Sequence, residues 1–202
     1  MSAACAPALA AGRVSVATFA IHHQSQGEIG TQTLRIERDG DRTVVDVRLN
    51  IVVRVLGVVV HRQEQTQKEV WRNGRLMSFD ALDVENSRRA TVSGRADGDK
   101  FVIVTKTGQR IEAPASIRTT YPWSPEIAKH KLLMGTGSGE LNNVRIALVA
   151  TTSLTLDGSA VPAVHYRVTG DFQRDLWFAP DGELLQFQFK NDGDAVTFRR
   201  KR

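Results

Sequence analysis

Six Asp-Gly or Asn-Gly pairs punctuate the chain: Asp39-Gly40, Asn73-Gly74, Asp97-Gly98, Asp157-Gly158, Asp181-Gly182 and Asp192-Gly193. Each falls between runs rich in β-branched and aromatic residues. Asp, Asn and Gly reach the positive φ angles that a two-residue hairpin turn demands, and few other residues do so at low cost. Six such turns hold the strands to a course in which each returns beside its predecessor. An antiparallel meander follows. A chain of 202 residues with 41% hydrophobic content suits one globular domain of this kind.

The runs themselves agree. Residues 14–24 and 27–38 read as the first two strands. The third is the clearest: Val45, Val47, Leu49, Ile51, Val53 and Val55 share one face, and Asp46, Arg48, Asn50 and Arg54 the other, with Val52 as the one break. Period two over that length gives one buried face and one wet face. Gly57 reads as a bend or bulge. The next strand, over 58–71, is polar on both faces from His61 to Glu69. It cannot be fully buried, so it either projects beyond the core or turns one face towards a wet groove. Further strand-like runs follow through to 195–199. The expected fold is all-β, a single curved antiparallel sheet of about eleven strands forming a half-barrel or incomplete barrel.

One stretch, from Thr120 to Glu140, leaves this grammar. Pro122 and Pro125 push the residues before them out of the α region. Ser124 is placed to cap a helix that has Pro125 at its first position. Ile127, Leu132 and Leu133 supply its apolar side, and Gly135, Gly137 and Gly139 end it. The pattern predicts one short helix, or lid, around 124–134, followed by a Gly-rich loop. Tyr121 and Trp123 precede it as large amphipathic side chains, which either plug one end of a β core or line a ligand mouth.

Composition narrows the partners. The net charge of +5 favours an anionic partner or surface. The charge is spread along the strands except at a basic tail, residues 200–202 following Arg199, which is either a solvated end or a contact for an anionic membrane surface. There is no RNP-type aromatic run, zinc spacing or helix-turn-helix pattern, so nucleic acid is not expected as a partner. Cys5 is the single cysteine, which leaves no internal disulfide. Residues 1–13 carry an Ala-rich run like the tail of a secretory signal peptide. They read as a signal remnant of a periplasmic or otherwise exported protein. The alternative is a disordered arm on a cytoplasmic one. Residues 14–199 form the single β-rich domain. No run approaches the roughly 20 apolar residues of a spanning helix.

Motifs for chemistry are sparse. His22 and His23 are adjacent in a strand and point to opposite faces, so they cannot chelate one metal together. There is no HExxH, Cys/His cluster or GxSxG elbow, and residues 135–139 lack the lysine of a phosphate loop. No metal, cofactor or catalytic residue is assigned. His130 and Glu140, which flank the Gly-rich loop, are the one pair that could act as acid and base.

Several segments occur in a spaced order: Gly27-Glu28-Ile29-Gly30, Glu69-Val70-Trp71-Arg72-Asn73-Gly74, Tyr121-Pro122-Trp123-Ser124-Pro125, Leu132-Leu133, Gly137 to Glu140, and Asp175-Leu176-Trp177-Phe178. Over residues 19–190 the chain resembles a family of exported bacterial proteins known as a domain of unknown function. That family has a Tyr-Trp-Asn-Pro motif, in which Ser124 here stands for the Asn. Its Leu-Leu-Asn-x-Gln-Thr-Gly motif is altered here from Met134 to Gly139. In plan the family is similar to the half-barrels of periplasmic lipoprotein carriers (LolA/LolB-like), where a curved sheet wraps a helical lid over an apolar cavity. The resemblance implies an exported protein that binds or carries an apolar or lipid-like small molecule, with Trp71, Tyr121, Trp123, His130, Leu132, Leu133 and Trp177 as ligand-binding residues. Two other readings stay open: an enzyme using His130 and Glu140, and an envelope interaction module that pairs a partner with an exposed 61–69 edge.

Overall fold

The computed structural model describes residues 12–201. The signal-remnant reading of residues 1–13 therefore falls almost entirely outside the described residues. Within them the chain is nearly all strand. β1 (Arg13–His23), β2 (Gly27–Asp39), β3 (Arg42–Val55), β4 (Val58–Arg72), β5 (Arg75–Glu85), β6 (Arg88–Asp97), β7 (Lys100–Val104) and β8 (Arg110–Pro114) run as a meander. After β9 (Arg118–Thr119) and one 3-10 turn (Pro125–Lys129) come β10 (Leu132–Met134), β11 (Leu141–Leu156), β12 (Ser159–Gly170), β13 (Arg174–Phe178), β14 (Leu184–Asn191) and β15 (Asp194–Arg200).

All fifteen strands belong to one sheet, in the order β8-β7-β6-β5-β4-β3-β2-β1-β15-β14-β13-β12-β11-β10-β9. The count exceeds the eleven or so expected; of the additional strands, β10 lies inside the stretch read as a lid and β9 just before it. First and last strands meet in the middle of the sheet, where β1 pairs antiparallel with β15. The sheet's two edges, β8 and β9, are consecutive in sequence, with only residues 115–117 between them. At strand spacings of about 4.8 Å a flat sheet of this size would hold those edges roughly 65 Å apart. The link from Pro114 to Arg118 can reach no more than roughly 14 Å. The sheet must therefore curl until its edges adjoin. Across that seam Lys106 N–H donates to the Ser138 carbonyl at 2.9 Å. Gly139 backs the same contact, with φ +78° and a position where a Cβ would lie 2.9 Å from Thr105 Cα. The β9–β10 pair is parallel because the chain crosses between the two through the 3-10 turn.

The hairpin turns follow the sequence. Asn73-Gly74, Asp157-Gly158 and Asp192-Gly193 have positive φ at both residues, as type I′ turns require. At Asp39-Gly40 and Asp97-Gly98 the Asp ends a strand and only the glycine, φ +53° in both, is left-handed. Gly57 is neither bend nor bulge. With Leu56 it forms a further hairpin turn, φ +49° and +81°, between β3 and β4.

The inner face carries the core: Phe19, Ile21, Leu34, Val45, Val47, Phe79, Phe101, Leu176, Phe178 and Phe198 are all buried. Val55, expected on that face, is half exposed because β3 has by then outrun β2 and pairs with β4 alone. The expected helix is a single 3-10 turn. Ser124 does cap it, its Oγ accepting from Glu126 N–H at 3.3 Å, but His130 is already extended. Leu132 and Leu133 continue as β10, where β9 and β11 satisfy the backbone that a helix would have satisfied internally. Tyr121, Ile127, Leu133 and Met134 are buried in the main core, so this stretch plugs the barrel. At the other end, β15 extends through Arg200, which pairs with Glu183, and Lys201 Nζ reaches Glu28 at 3.0 Å. The same residues were read from sequence as a basic tail.

Candidate functional site

β4 places the decisive side chains. Its outward residues from Arg62 to Lys68 are exposed, and its inward line runs His61, Gln63, Gln65, Gln67, Glu69, Trp71. Both edges of residues 63–69 are paired, by β3 on one side and β5 on the other. The segment therefore offers no free edge for a partner strand, and its polar inner face borders a groove.

At the lower end of this line Glu69 is fully buried. One carboxylate oxygen accepts from Gln67 Nε2 and Thr119 Oγ1, both at 2.7 Å. The other accepts from Trp71 Nε1 at 2.8 Å and Trp123 Nε1 at 2.9 Å. Burial pushes the acid up to about 7, against the pull of those four hydrogen bonds. The two indoles meet edge to face at 5.7 Å, and the Arg118 guanidinium lies 4.8 Å from the Trp71 ring and 5.7 Å from the Trp123 ring. Arg118 Nε donates to His130 Nε2 at 3.2 Å, and His130 is pulled below its ordinary range by burial and by that cation. No space for even a water remains between Trp71, Arg118 and Trp123. The node is a latch from β4 to the plug segment: Thr119 and Trp123 come from the plug, and Glu69 holds both.

The upper end is open. A groove of about 720 Å³ enters among the β1–β2, β3–β4 and β14–β15 turns. Leu49, Ile51 and Val53 form one apolar wall, Phe187, Phe189, Val196 and Phe198 another; Gln32, His61, Gln63 and Gln65 make a polar strip. Tyr121 closes the floor and donates its hydroxyl to Gln32 Oε1 at 2.9 Å. Burial raises this phenol well above its usual range.

Arg174, at the start of β13, lines this groove and also a second one of about 710 Å³ bordered by residues 135–138 of the Gly-rich loop. Thr136 and Phe189 are likewise common to both, so the two spaces adjoin. Arg174 Nη1 donates to the Thr120 carbonyl at 2.9 Å, while its buried Nε has no partner. The rings of Phe172, Phe187 and Phe189 stand 5.3–5.4 Å from the guanidinium. No carboxylate lies within ion-pair distance of it among the described residues. Burial pulls it down to about 10, so it remains a cation at neutral pH.

The seven residues singled out from sequence are thus scattered. Tyr121 lines the large groove. Trp71 and Trp123 belong to the Glu69 latch, and Trp123 also borders a groove of about 310 Å³ at the lower end. His130 is bound by Arg118, Leu132 is half-buried and Leu133 is sealed in the core. Trp177 points to the opposite face of the sheet, where it stacks on His165 at 4.4 Å and packs on Leu156, Ala163 and Leu185. His130 and Glu140 share no hydrogen bond or ion pair, and Glu140 is exposed, its N–H donating to Ser138 Oγ at 3.1 Å. Among the described residues no three His, Cys, Asp or Glu side chains gather to hold a metal.

The fold describes a curved-sheet, barrel-like protein. Residues 19–201 match the family model described as a domain of unknown function, DUF6134, and the chain belongs to that family. Among solved structures it is similar to a β-barrel-like protein of the domain of unknown function DUF1849 from Brucella abortus. That likeness has a TM-score of 0.66 at 8% identity, and it covers 93% of this chain and 95% of the other. It is a likeness of fold. No curated protein matches the sequence.

Proposed function

We propose that this is a non-catalytic binding or carrier protein for a lipid-like small molecule, held in the upper groove with an acidic group against Arg174. The observation that supports it most is the unanswered guanidinium at the junction of two grooves. A buried cation is normally paired or fully hydrogen-bonded, because desolvation is costly. Here it has a single hydrogen bond and three aromatic neighbours, its sealed Nε is unpartnered, and the residue borders spaces of the size small ligands occupy. Two apolar walls and a polar strip suit an amphiphile. The reading takes the protein to work outside the cytoplasm, as the exported-family resemblance and the Ala-rich residues 1–12 imply.

The test is native mass spectrometry, with lipid extraction, of the protein purified from its own periplasm. A co-purifying acidic amphiphile at near-stoichiometric level is the expected result. A clean apo mass, together with failure to bind a fluorescent fatty-acid probe, would overturn the reading.

A further inference from the structure

The β3–β4 hairpin outruns the sheet. β3 last pairs with β2 at Ile51, and β4 first pairs with β5 at Gln63. Between them residues 52–62 form strand pairs only with each other, with Arg62 at the base also bonded to Asn86. A free two-stranded ribbon is marginal in water, and natural ribbons of this kind are usually protected by charge or proline. This one carries charge only at its base, at Arg54 and Arg62, and none over its tip, residues 55–60. Val55, Leu56, Val58, Val59 and Val60 are 50%, 99%, 64%, 40% and 53% exposed, with Gly57 as the only other residue in the run. Leu56 is the sharpest anomaly. It occupies a left-handed turn position, φ +49°, that Asn, Asp or Gly would fill without strain, as they do in the other hairpins. Neither the turn nor the core gives a reason for leucine there.

The surroundings say what would cover it. Below the apolar tip lies a collar of exposed arginines: Arg54 and Arg62 on the ribbon, and Arg88 and Arg89 on the adjoining β5–β6 hairpin, against Glu64 and Glu85. The two hairpins are tied, Arg62 N–H donating to Asn86 Oδ1 at 2.9 Å and Asn86 N–H to the Arg62 carbonyl at 3.0 Å. An apolar point backed by net positive charge fits an anionic lipid surface, where the point enters the acyl boundary and the arginines meet headgroups. Val53, Val60 and His61 also line the upper groove, so its mouth opens beside the tip. We propose that the β3–β4 tip, centred on Leu56, docks the protein on an anionic bilayer. The docking explains the tip whether or not the groove carries a lipid. If it does, the same event sets the groove's mouth against the membrane.

Flotation with vesicles of phosphatidylglycerol and phosphatidylcholine tests this. The wild-type chain should float with the anionic vesicles, less so at high salt, and not with pure phosphatidylcholine. Leu56→Asn gives the turn its preferred residue, so its Tm should be unchanged or higher. Its partitioning should fall about tenfold, as expected for withdrawing one buried leucine. Leu56→Trp should show a blue-shifted emission on adding anionic vesicles. The proposal is overturned if Leu56→Asn floats like wild type, or if Leu56→Trp co-floats without a shift. It is equally overturned if the tip instead drives a concentration-dependent dimer that vesicles do not dissolve. Lipid remaining in the protein fraction after flotation reports on the groove, so the two proposals can fail separately.

Discussion

Glu69 and Arg174 are both ionisable groups inside the same barrel, and their charges are met in opposite ways. Glu69 has four donors on two oxygens and a sealed aromatic surround. Arg174 has one carbonyl, three ring neighbours and a donor left over, beside open space. The first arrangement is complete without any ligand, which is what a structural latch requires. The second leaves the guanidinium short of partners, which is where the proposed ligand's acidic group would add one. Between these two groups, it is satisfaction, rather than burial or aromatic content, that differs.

The largest effect should come from breaking the complete arrangement. Glu69→Ala leaves the indoles of Trp71 and Trp123, the hydroxyl of Thr119 and the amide of Gln67 without their acceptor, and it unties the plug from β4. A loss of about 3–5 kcal/mol is expected, read by chemical denaturation. A loss under about 1 kcal/mol would show that the node is incidental to stability, since that is the worth of a single ordinary hydrogen bond.

The protonation of Glu69 gives the next effect. Its folded pKa of about 7 lies above the 4.5 of the free side chain. A raised acid binds more protons folded than unfolded, so its contribution is fully present below pH 4.5 and lost as pH rises through 7. Stability should fall between pH 5 and pH 7.5 by up to roughly 2–3 kcal/mol from this group. Glu69→Gln should flatten that slope. An unchanged slope in the variant would assign the dependence to other groups.

The same contrast explains how much could be seen in the sequence. Asn-Gly and Asp-Gly turns and the alternation along β3 are local, so the meander was legible. The polar inward line of β4 was legible as a choice, and the structure divides it: the start of β4, to Arg62, projects beyond the sheet, and residues 63–69, paired on both sides, border the groove. The plug was misjudged because Leu132 and Leu133 meet their partners in β9 and β11, and nothing local tells a short helix from a three-residue strand. Glu69 gave no signal of its own. Its donors come from positions 67, 71, 119 and 123, and only the fold brings the two pairs together. Arg174 was missed for the same reason. An arginine at a strand start is unremarkable until Phe172, Phe187 and Phe189 are found around it and no carboxylate among the described residues is within ion-pair distance.

Arg174 then supplies the smallest expected change in stability and the most informative one. Replacing a cation that lacks an ionic partner with an apolar residue of similar shape is often neutral or stabilising, because the desolvation cost disappears with the charge. Against this stand the Thr120 hydrogen bond and cation–π contacts worth on the order of 0.5–2 kcal/mol. Arg174→Met should therefore lie within about 1 kcal/mol of wild type in denaturation. Its affinity for an acidic amphiphile should drop at least about tenfold, the worth of one charge-assisted hydrogen bond, while a neutral analogue binds as before. Arg174→Lys, which keeps the charge and loses the planar fork, should fall between the two. If Arg174→Met instead unfolds the protein as Glu69→Ala does, the guanidinium is a pillar like Glu69, and the groove must find its ligand elsewhere.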